Sequence, residues 1–281
     1  MKSQTLVVGL GEVGKPLLDV LGRTHDVVGK DLTPVAVENV DILHVCYPFQ
    51  IEDFVLTTIG YIREYQPAVV VINSTVVPGT TARVEQAVDV PVLYSPVRGK
   101  HSAMRDELLR YTKFVAGTDS AAVMRGMSHF AAAGMKTSAM SSPEALELAK
   151  LLETVYFGVL IAWAQEMERF CRKVGADYGE VQRLTEEIDF LPRVVFEPGY
   201  IGGHCIIPNS YLLDIVRPSG FCDCMRHSNE LKKAEWEEAG RPLGERLKPR
   251  LFGSGSEARS DDQRSGRTQD ECPQPTAQRH E

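Results

Sequence analysis

Along the first 140 residues, short apolar runs alternate with stretches of helical period. Leu6 to Val8, Asp26 to Lys30, Asp41 to Cys46, Val69 to Ile72, Val90 to Leu93 and Lys113 to Ala116 read as six strands. These runs are apolar on consecutive positions, and helical patterns such as Ile51 to Tyr65 and Ser120 to Ala133 lie between them. Strands buried on both faces and separated by helices predict a parallel sheet covered above and below. Only about ten residues, Asp31 to Val40, join the second strand to the third, so one crossover helix is expected to be trimmed or missing.

The character changes after Met140. Ser141-Ser142-Pro143-Glu144 carries the marks of a helix start: a hydroxyl cap, a proline in the first turn and an early carboxylate. Nothing breaks the pattern before Lys173 except Gly158, and Gly175 supplies the stop. Some thirty residues at about 1.5 Å each make a rod on the order of 45 Å long. Its middle, the ten residues Val155 to Ala164, is apolar on every side. Such a segment must be covered on every side, and a second copy of the chain is the expected cover. A shorter helix is expected near Tyr178 to Glu187, then a loop from Phe196 to Cys205, then a last helix from Cys222 to Glu238. Beyond Gly240 the chain turns rich in Gly, Ser, Arg and Asp and loses apolar period, so 240–281 is expected to be a disordered tail. The expected domains are thus 1–140, 141–239 and that tail.

Charge and cysteine use narrow the classes. A net charge of −7 gives no basic face for nucleic acid. The six cysteines (46, 171, 205, 222, 224 and 272) form no regular framework, as expected of a reducing compartment. Cys222 and Cys224 lack the companion pair of a zinc site. The N-terminus runs straight into a strand, so no secretory leader is expected, and no apolar run reaches the roughly 20 residues of a membrane span. A cytoplasmic protein with neither metal nor membrane is the expectation.

The chemistry begins at Gly9-Leu10-Gly11-Glu12-Val13-Gly14, a G-x-G-x-x-G that follows a strand and opens a helix. Gly9 makes the tight turn, Gly11 lets backbone N–H groups approach a pyrophosphate, and Gly14 lets helix and strand pack closely. Asp31 ends the second strand, 17 residues past the last glycine, where a carboxylate accepts from ribose hydroxyls and repels a 2′-phosphate. The expected cofactor is NAD. The expected fold is α/β, a Rossmann-type doubly wound parallel sheet followed by a small all-α domain built on the long helix.

Three further stretches resemble the UDP-glucose/GDP-mannose dehydrogenase family. Asn73-Ser74-Thr75-Val76-Val77-Pro78-Gly79-Thr80 is similar to its S-T-V-x-x-G-T stretch. Glu147 to Thr154 is similar to its E-x-x-K-x-x-x-N helix, and Gly199 to Pro208 to its P-G-x-G-G-H-C-I-P loop. The resemblance covers roughly residues 1–225. It implies a dimerisation domain on the long helix and a third, nucleotide-holding domain that is read as absent here. It also implies that Cys205 is the nucleophile that carries the oxidised aldehyde as a thioester, and that Lys150 stabilises or relays the proton of the reacting oxygen. Tyr47, Ser74 and Thr75 would lie along the cofactor.

Three positions depart from the family pattern. Thr154 stands for its asparagine, Asn209 for its catalytic aspartate, and Val97 for the glutamate linked to thioester hydrolysis. The acid–base equipment for a second oxidation is therefore depleted, and a single two-electron oxidation is expected. In its place stands the basic cluster Arg98-Gly99-Lys100-His101, read either as an anion site or as a solvated loop. The expected substrate is an anionic small molecule, contacted by Arg98, Lys100, His101, Thr154, His204 and Asn209. Two rivals stay open: a small hydroxyacid dehydrogenase that uses Lys150 alone, and a catalytically silent NAD-binding protein.

Overall fold

The computed structural model describes residues 3–186, 188, 194–243 and 250–251. Apart from 240–243 and 250–251, the segment expected to be a disordered tail lies outside the described residues. In chain order the elements are β1 (Gln4–Val8), α1 (Gly14–Leu21), β2 (Val27–Lys30), β3 (Val40–Val45), α2 (Phe54–Tyr65), β4 (Val69–Ile72), α3 (Thr80–Glu85) and β5 (Val92–Tyr94). A 3-10 turn at His101–Ala103 leads into α4 (Met104–Arg110), β6 (Lys113–Val115), α5 (Ser120–Ala132) and β7 (Thr137–Ala139). Then come α6 (Pro143–Val174), α7 (Tyr178–Glu186), β8 (Val194–Val195), α8 (Ile206–Val216), α9 (Gly220–Glu238) and β9 (Arg250–Leu251).

The first five strands form one parallel sheet in the order β2-β1-β3-β4-β5. Consecutive residues of one strand feed different cores, which is why the strands read as unbroken apolar runs. Leu6 and Val8 join Leu43, Val45, Val70, Ile72 and Tyr94 on one face. Val7 joins Ile42, Val71, Leu93 and Phe130 on the other. As the short connection implied, no helix lies between β2 and β3. The expected sixth strand forms but leaves the ladder: β6 pairs with β7 and meets β5 only through an antiparallel bridge between Tyr94 and Ala116.

Helix α6 starts and stops as the capping pattern requires. The Ser142 hydroxyl accepts from the Ala145 N–H at 3.1 Å, and Gly175 closes the helix in the left-handed region at φ 75°. Its N-terminal half is fastened to the sheet domain by Glu147, which is fully buried. That carboxylate accepts from the Gly79 N–H (2.6 Å), the Thr81 N–H (2.9 Å) and the Thr81 hydroxyl (2.6 Å), so it caps α3 from a distant part of the chain. Burial raises its pKa, while the three hydrogen bonds pull the other way.

Further along, α6 packs against α8 and α9. Gly158 has a purpose there that the pattern does not reveal: a Cβ would stand 2.4 Å from both Ile206 Cγ2 and Met225 Sδ. Helix α8 has no counterpart in the sequence pattern, because its apolar residues are spread around the axis and Pro208 falls in its first turn. A proline is tolerated there, since the first N–H groups of a helix have no intrahelical acceptor. The expectation that Val155 to Ala164 is covered all round is not met within one chain. Val155 and Ala162 are buried, but Tyr156 and Trp163 are each 57% exposed and Phe157 is exposed as well.

Candidate active site

The carboxyl ends of β1, β2 and β3 form one rim. Gly9 leaves β1 at φ 90°, and a Cβ there would sit 2.6 Å from the Tyr47 nitrogen. A Cβ on Gly14 would fall 1.8 Å from the Gly9 carbonyl oxygen, so helix α1 can begin this close to the turn only without a side chain. Gly11 is different, because nothing stands within 4 Å of its Cβ position. The chain's own packing does not demand that glycine, and the space is open to an approaching group. Asp31 follows β2 directly and is exposed on the same rim, as Val8 pairs with Lys30. Leu10, Val13 and Thr75 are half-buried around the turn.

Tyr47 and Ser74 face inward. The Tyr47 hydroxyl shares a 2.6 Å hydrogen bond with that of Thr58 and packs against Phe54 and Tyr61, and burial pushes its ionisation well up. The Ser74 hydroxyl donates to the Tyr47 carbonyl at 2.6 Å. The backbone between them is thereby fixed, and the side chains are occupied.

Cys205 enters from the other half of the molecule. The loop before it is clamped to the long helices: Gln165 donates to the Gly199 carbonyl (2.7 Å), and the Asn229 side chain both accepts from and donates to the Ile201 backbone (2.7 and 3.0 Å). Gly203 at φ 85° turns the chain, and Cys205 caps the N-terminus of α8, where a helix presents partial positive charge. His101 Nε2 lies 3.3 Å from its Sγ. The other imidazole nitrogen is bonded to the carboxylate of Glu12, from the glycine-rich turn. These partners raise His101 to about 9, Cys205 contributing most and Glu12 next, against half-burial that pulls it down. The contacts thus favour the imidazolium form of His101.

Lys150 projects from α6 and is half-buried. Burial lowers its pKa, Glu153 and the Cys205 sulfur pull it back up, and Arg98 pushes it down. A cavity of about 310 Å³ opens beside it, lined by Pro96, Arg98, Phe114, Leu146 and Glu153 among others. Thr154 turns its hydroxyl back to the Lys150 carbonyl at 3.0 Å, and Asn209 is buried in the first turns of α8, its N–H on the Cys205 carbonyl at 2.9 Å. His204 is exposed beside Cys205, and Val97 is buried.

The basic stretch Arg98 to His101 is not gathered into one anion pocket. Gly99 at φ 107° sends its neighbours apart. Arg98 turns to Glu153 at 3.1 Å and lies over the Tyr111 and Phe114 rings, Lys100 is exposed, and His101 goes to Cys205 and Glu12. The pairing of His101 with the cysteine is absent from the motif reading, because it joins residues 104 positions apart. One signal stands in the sequence: a carboxylate at Glu12 is out of place in a turn suited to phosphate unless a cation is nearby. Equally unheralded is Lys113, buried behind the rim. It donates to the Asn73 side chain (3.1 Å) and to the Ser95 and Pro96 carbonyls (2.5 and 3.0 Å), and burial brings it down to about 7. Among the described residues, no group of three His, Cys, Asp or Glu side chains could hold a metal, and no helix is long and apolar enough to cross a membrane.

The chain is similar to known proteins in sequence and in fold. A UDP-N-acetyl-D-mannosamine dehydrogenase of Pyrococcus horikoshii is 24% identical over 214 residues, which cover 70% of this chain and 49% of that protein. The chain thus spans about half the length of the curated relative it matches. Among solved structures, the UDP-D-ManNAc dehydrogenase of Pyrococcus horikoshii superposes with a TM-score of 0.72 at 20% identity, over 85% of this chain and 72% of that one. The 3-hydroxyisobutyrate dehydrogenase of Mycobacterium tuberculosis superposes with a TM-score of 0.64 at 16% identity, over 85% of this chain and 94% of its own. At such identities the superpositions speak for the fold. Residues 144–221, which run from the start of the long helix through Cys205 to the start of α9, match the central-domain model of the UDP-glucose/GDP-mannose dehydrogenase family.

Proposed function

We propose that this chain is an NAD-dependent oxidoreductase that oxidises a CH–OH group of an anionic small molecule at Cys205 and Lys150. The observation that carries the reading is convergence: Cys205 and the glycine-rich turn come from different halves of the chain and meet through His101. The open space at Gly11 and the exposed Asp31 suit a dinucleotide whose pyrophosphate approaches the start of α1 and whose ribose reaches the end of β2. When bound, NAD accepts the hydride. Lys150, its pKa lowered by burial, takes the hydroxyl proton or steadies charge on the reacting oxygen. Cys205 adds to a carbonyl carbon once one has formed. Arg98 and Lys100 are the cations nearest to hand for an anionic substituent, Thr154, His204 and Asn209 line the approach, and Tyr47, Ser74 and Thr75 shape the rim under the cofactor.

A nucleotide sugar is the first substrate class to test, because the UDP-N-acetyl-D-mannosamine dehydrogenases that the chain resembles are named for one. Pairing of two chains through the Tyr156, Phe157 and Trp163 face would cover the exposed aromatics of α6. The superposition on almost the whole of 3-hydroxyisobutyrate dehydrogenase favours a second reading, oxidation of a small hydroxyacid by Lys150 with Cys205 idle. Calorimetric titration with NAD and NADP tests the cofactor, and NADH formation across nucleotide sugars and hydroxyacids tests the class. Loss of that turnover on alkylation of Cys205 selects the first reading, and its persistence selects the second. No binding of either dinucleotide overturns both.

A further inference from the structure

Cys205, His101 and Glu12 form a continuous chain from three separate elements. The sulfur belongs to the N-cap residue of α8, the imidazole to the turn after β5, and the carboxylate lies in the turn between β1 and α1. His101 has one nitrogen on each partner, so its ring orientation is set from both sides. Glu12 is more than half exposed, and a pair so open to solvent adds little to stability. Orientation of the ring is therefore the larger consequence of the contact. Lys150 on α6 also interacts with the sulfur, and Glu153 and Arg98 act on that lysine in turn.

We propose that His101 is a catalytic acid–base residue for Cys205, positioned by Glu12, and that it activates the water that frees an acyl group from the sulfur. The acyl-forming step rests on the dehydrogenase reading above, whereas the chain of three side chains does not. While the sulfur is a thiolate, His101 holds a proton and faces it as a cation. The thiolate adds to an aldehyde carbon, and hydride leaves that carbon for the nicotinamide dinucleotide. A thioester remains on Cys205. The sulfur is now neutral, so the chief influence that holds the proton on His101 is gone, and that proton passes to solvent. Neutral His101 then takes a proton from water, the hydroxide oxygen bonds to the thioester carbon, and the C–S bond breaks. Cys205 returns as thiolate, His101 returns as imidazolium, and the carboxylic acid loses its own proton. The sum is aldehyde plus water plus oxidised cofactor to carboxylate, reduced cofactor and two protons. The base taken away at Val97 and Asn209 is thereby supplied from another part of the chain, and two oxidations in succession become possible.

The test needs neither cofactor nor natural substrate. Iodoacetamide labelling of Cys205, followed by peptide mass spectrometry across pH 5 to 10, reports the state of the sulfur. p-Nitrophenyl acetate reports both halves of the cycle: the sulfur displaces p-nitrophenolate, and water must then release the acetyl group. At pH 7 the His101→Asn variant should label at least tenfold more slowly, and its acetyl-Cys205 should persist at least tenfold longer than in the wild type. Glu12→Gln should lie between the two, and Glu12→Asp should recover most of the difference. Thermal melting of each variant confirms that the fold is intact, and calorimetric NAD binding by the wild type and His101→Asn reads the dehydrogenase assignment separately. An unchanged labelling rate or an unchanged acetyl lifetime in a folded His101→Asn protein overturns the proposal, even where NAD still binds.

Discussion

The two halves of this molecule complete their cores in different ways. In the sheet half, every residue of β4 and β5 is buried, and both faces are closed by helices of the same chain. In the half built on α6, the buried cluster is small, around Ala162, Ile201 and Met225, while Tyr156 and Trp163 lie more than half exposed on the same helix. A parallel sheet must be covered where it is made, because each strand presents apolar side chains on both faces. A long helix can leave one stripe open for a partner. The proposed catalytic residues Cys205 and Lys150 lie where the two halves meet, so the proposed site depends on that seam.

The sharpest separation of the halves is at Cys205. Cys205→Ser should lower NADH formation by about 10³-fold or more, since the proposed nucleophile is lost, while leaving calorimetric NAD binding within twofold. Equal loss of both would mean that the glycine-rich turn does not form an independent cofactor site. The seam itself is held at Glu147. Its replacement by Ala removes three charge-assisted hydrogen bonds inside the protein and should cost about 3 kcal/mol or more in urea unfolding. A change below about 0.5 kcal/mol would show that α6 does not need this anchor.

Protonation gives a smaller effect. His101 is raised to about 9, so its contribution to stability is complete below its unfolded value near 6.5 and is lost as pH rises through 9. Lys113, lowered to about 7, works in the opposite sense: stability is gained as pH rises from 7 towards its unfolded value near 10.4. The two offset in a simple melting curve. The expected result is therefore a difference: wild type minus His101→Asn should lose on the order of 1–3 kcal/mol of stability between pH 6.5 and 9. A difference that is flat across that range would contradict the pairing. Trp163→Glu should weaken self-association in sedimentation about tenfold and spare NAD binding. The mildest change is Asp31→Ala, which should narrow an expected tenfold preference for NAD over NADP.

What the sequence disclosed follows the same division. The strands, the caps of α6 and the glycine pattern are local: each depends on residues within a few positions, and Ser142, Pro143 and Gly175 do what their chemistry dictates. Gly9 and Gly14 prove to be required by close backbone approach. The features that escaped the pattern are tertiary. Glu147 reads as a motif letter until its partners near residue 80 are seen, and Gly158 reads as a tolerated flaw until Ile206 and Met225 close on it. Helix α8 hides because its apolar residues follow no single face. Arg98 and His101 look like one basic cluster, yet a glycine between them sends each to a different carboxylate. A one-dimensional pattern records charge and spacing but not the direction in which a turn aims its side chains.

The central claim is that the rim of the sheet and the cysteine loop together make an NAD-dependent oxidoreductase. The most direct measurement is NADH formation by the purified chain, supplied with NAD and with UDP-N-acetylmannosamine, other nucleotide sugars and short hydroxyacids in turn. Lys150→Ala and Cys205→Ser variants run alongside. The account predicts NADH with at least one anionic alcohol, turnover lost in both variants, and NAD binding retained in both. Turnover that survives in both variants, or a folded wild-type chain that neither binds NAD nor forms NADH from any of these alcohols, would contradict it.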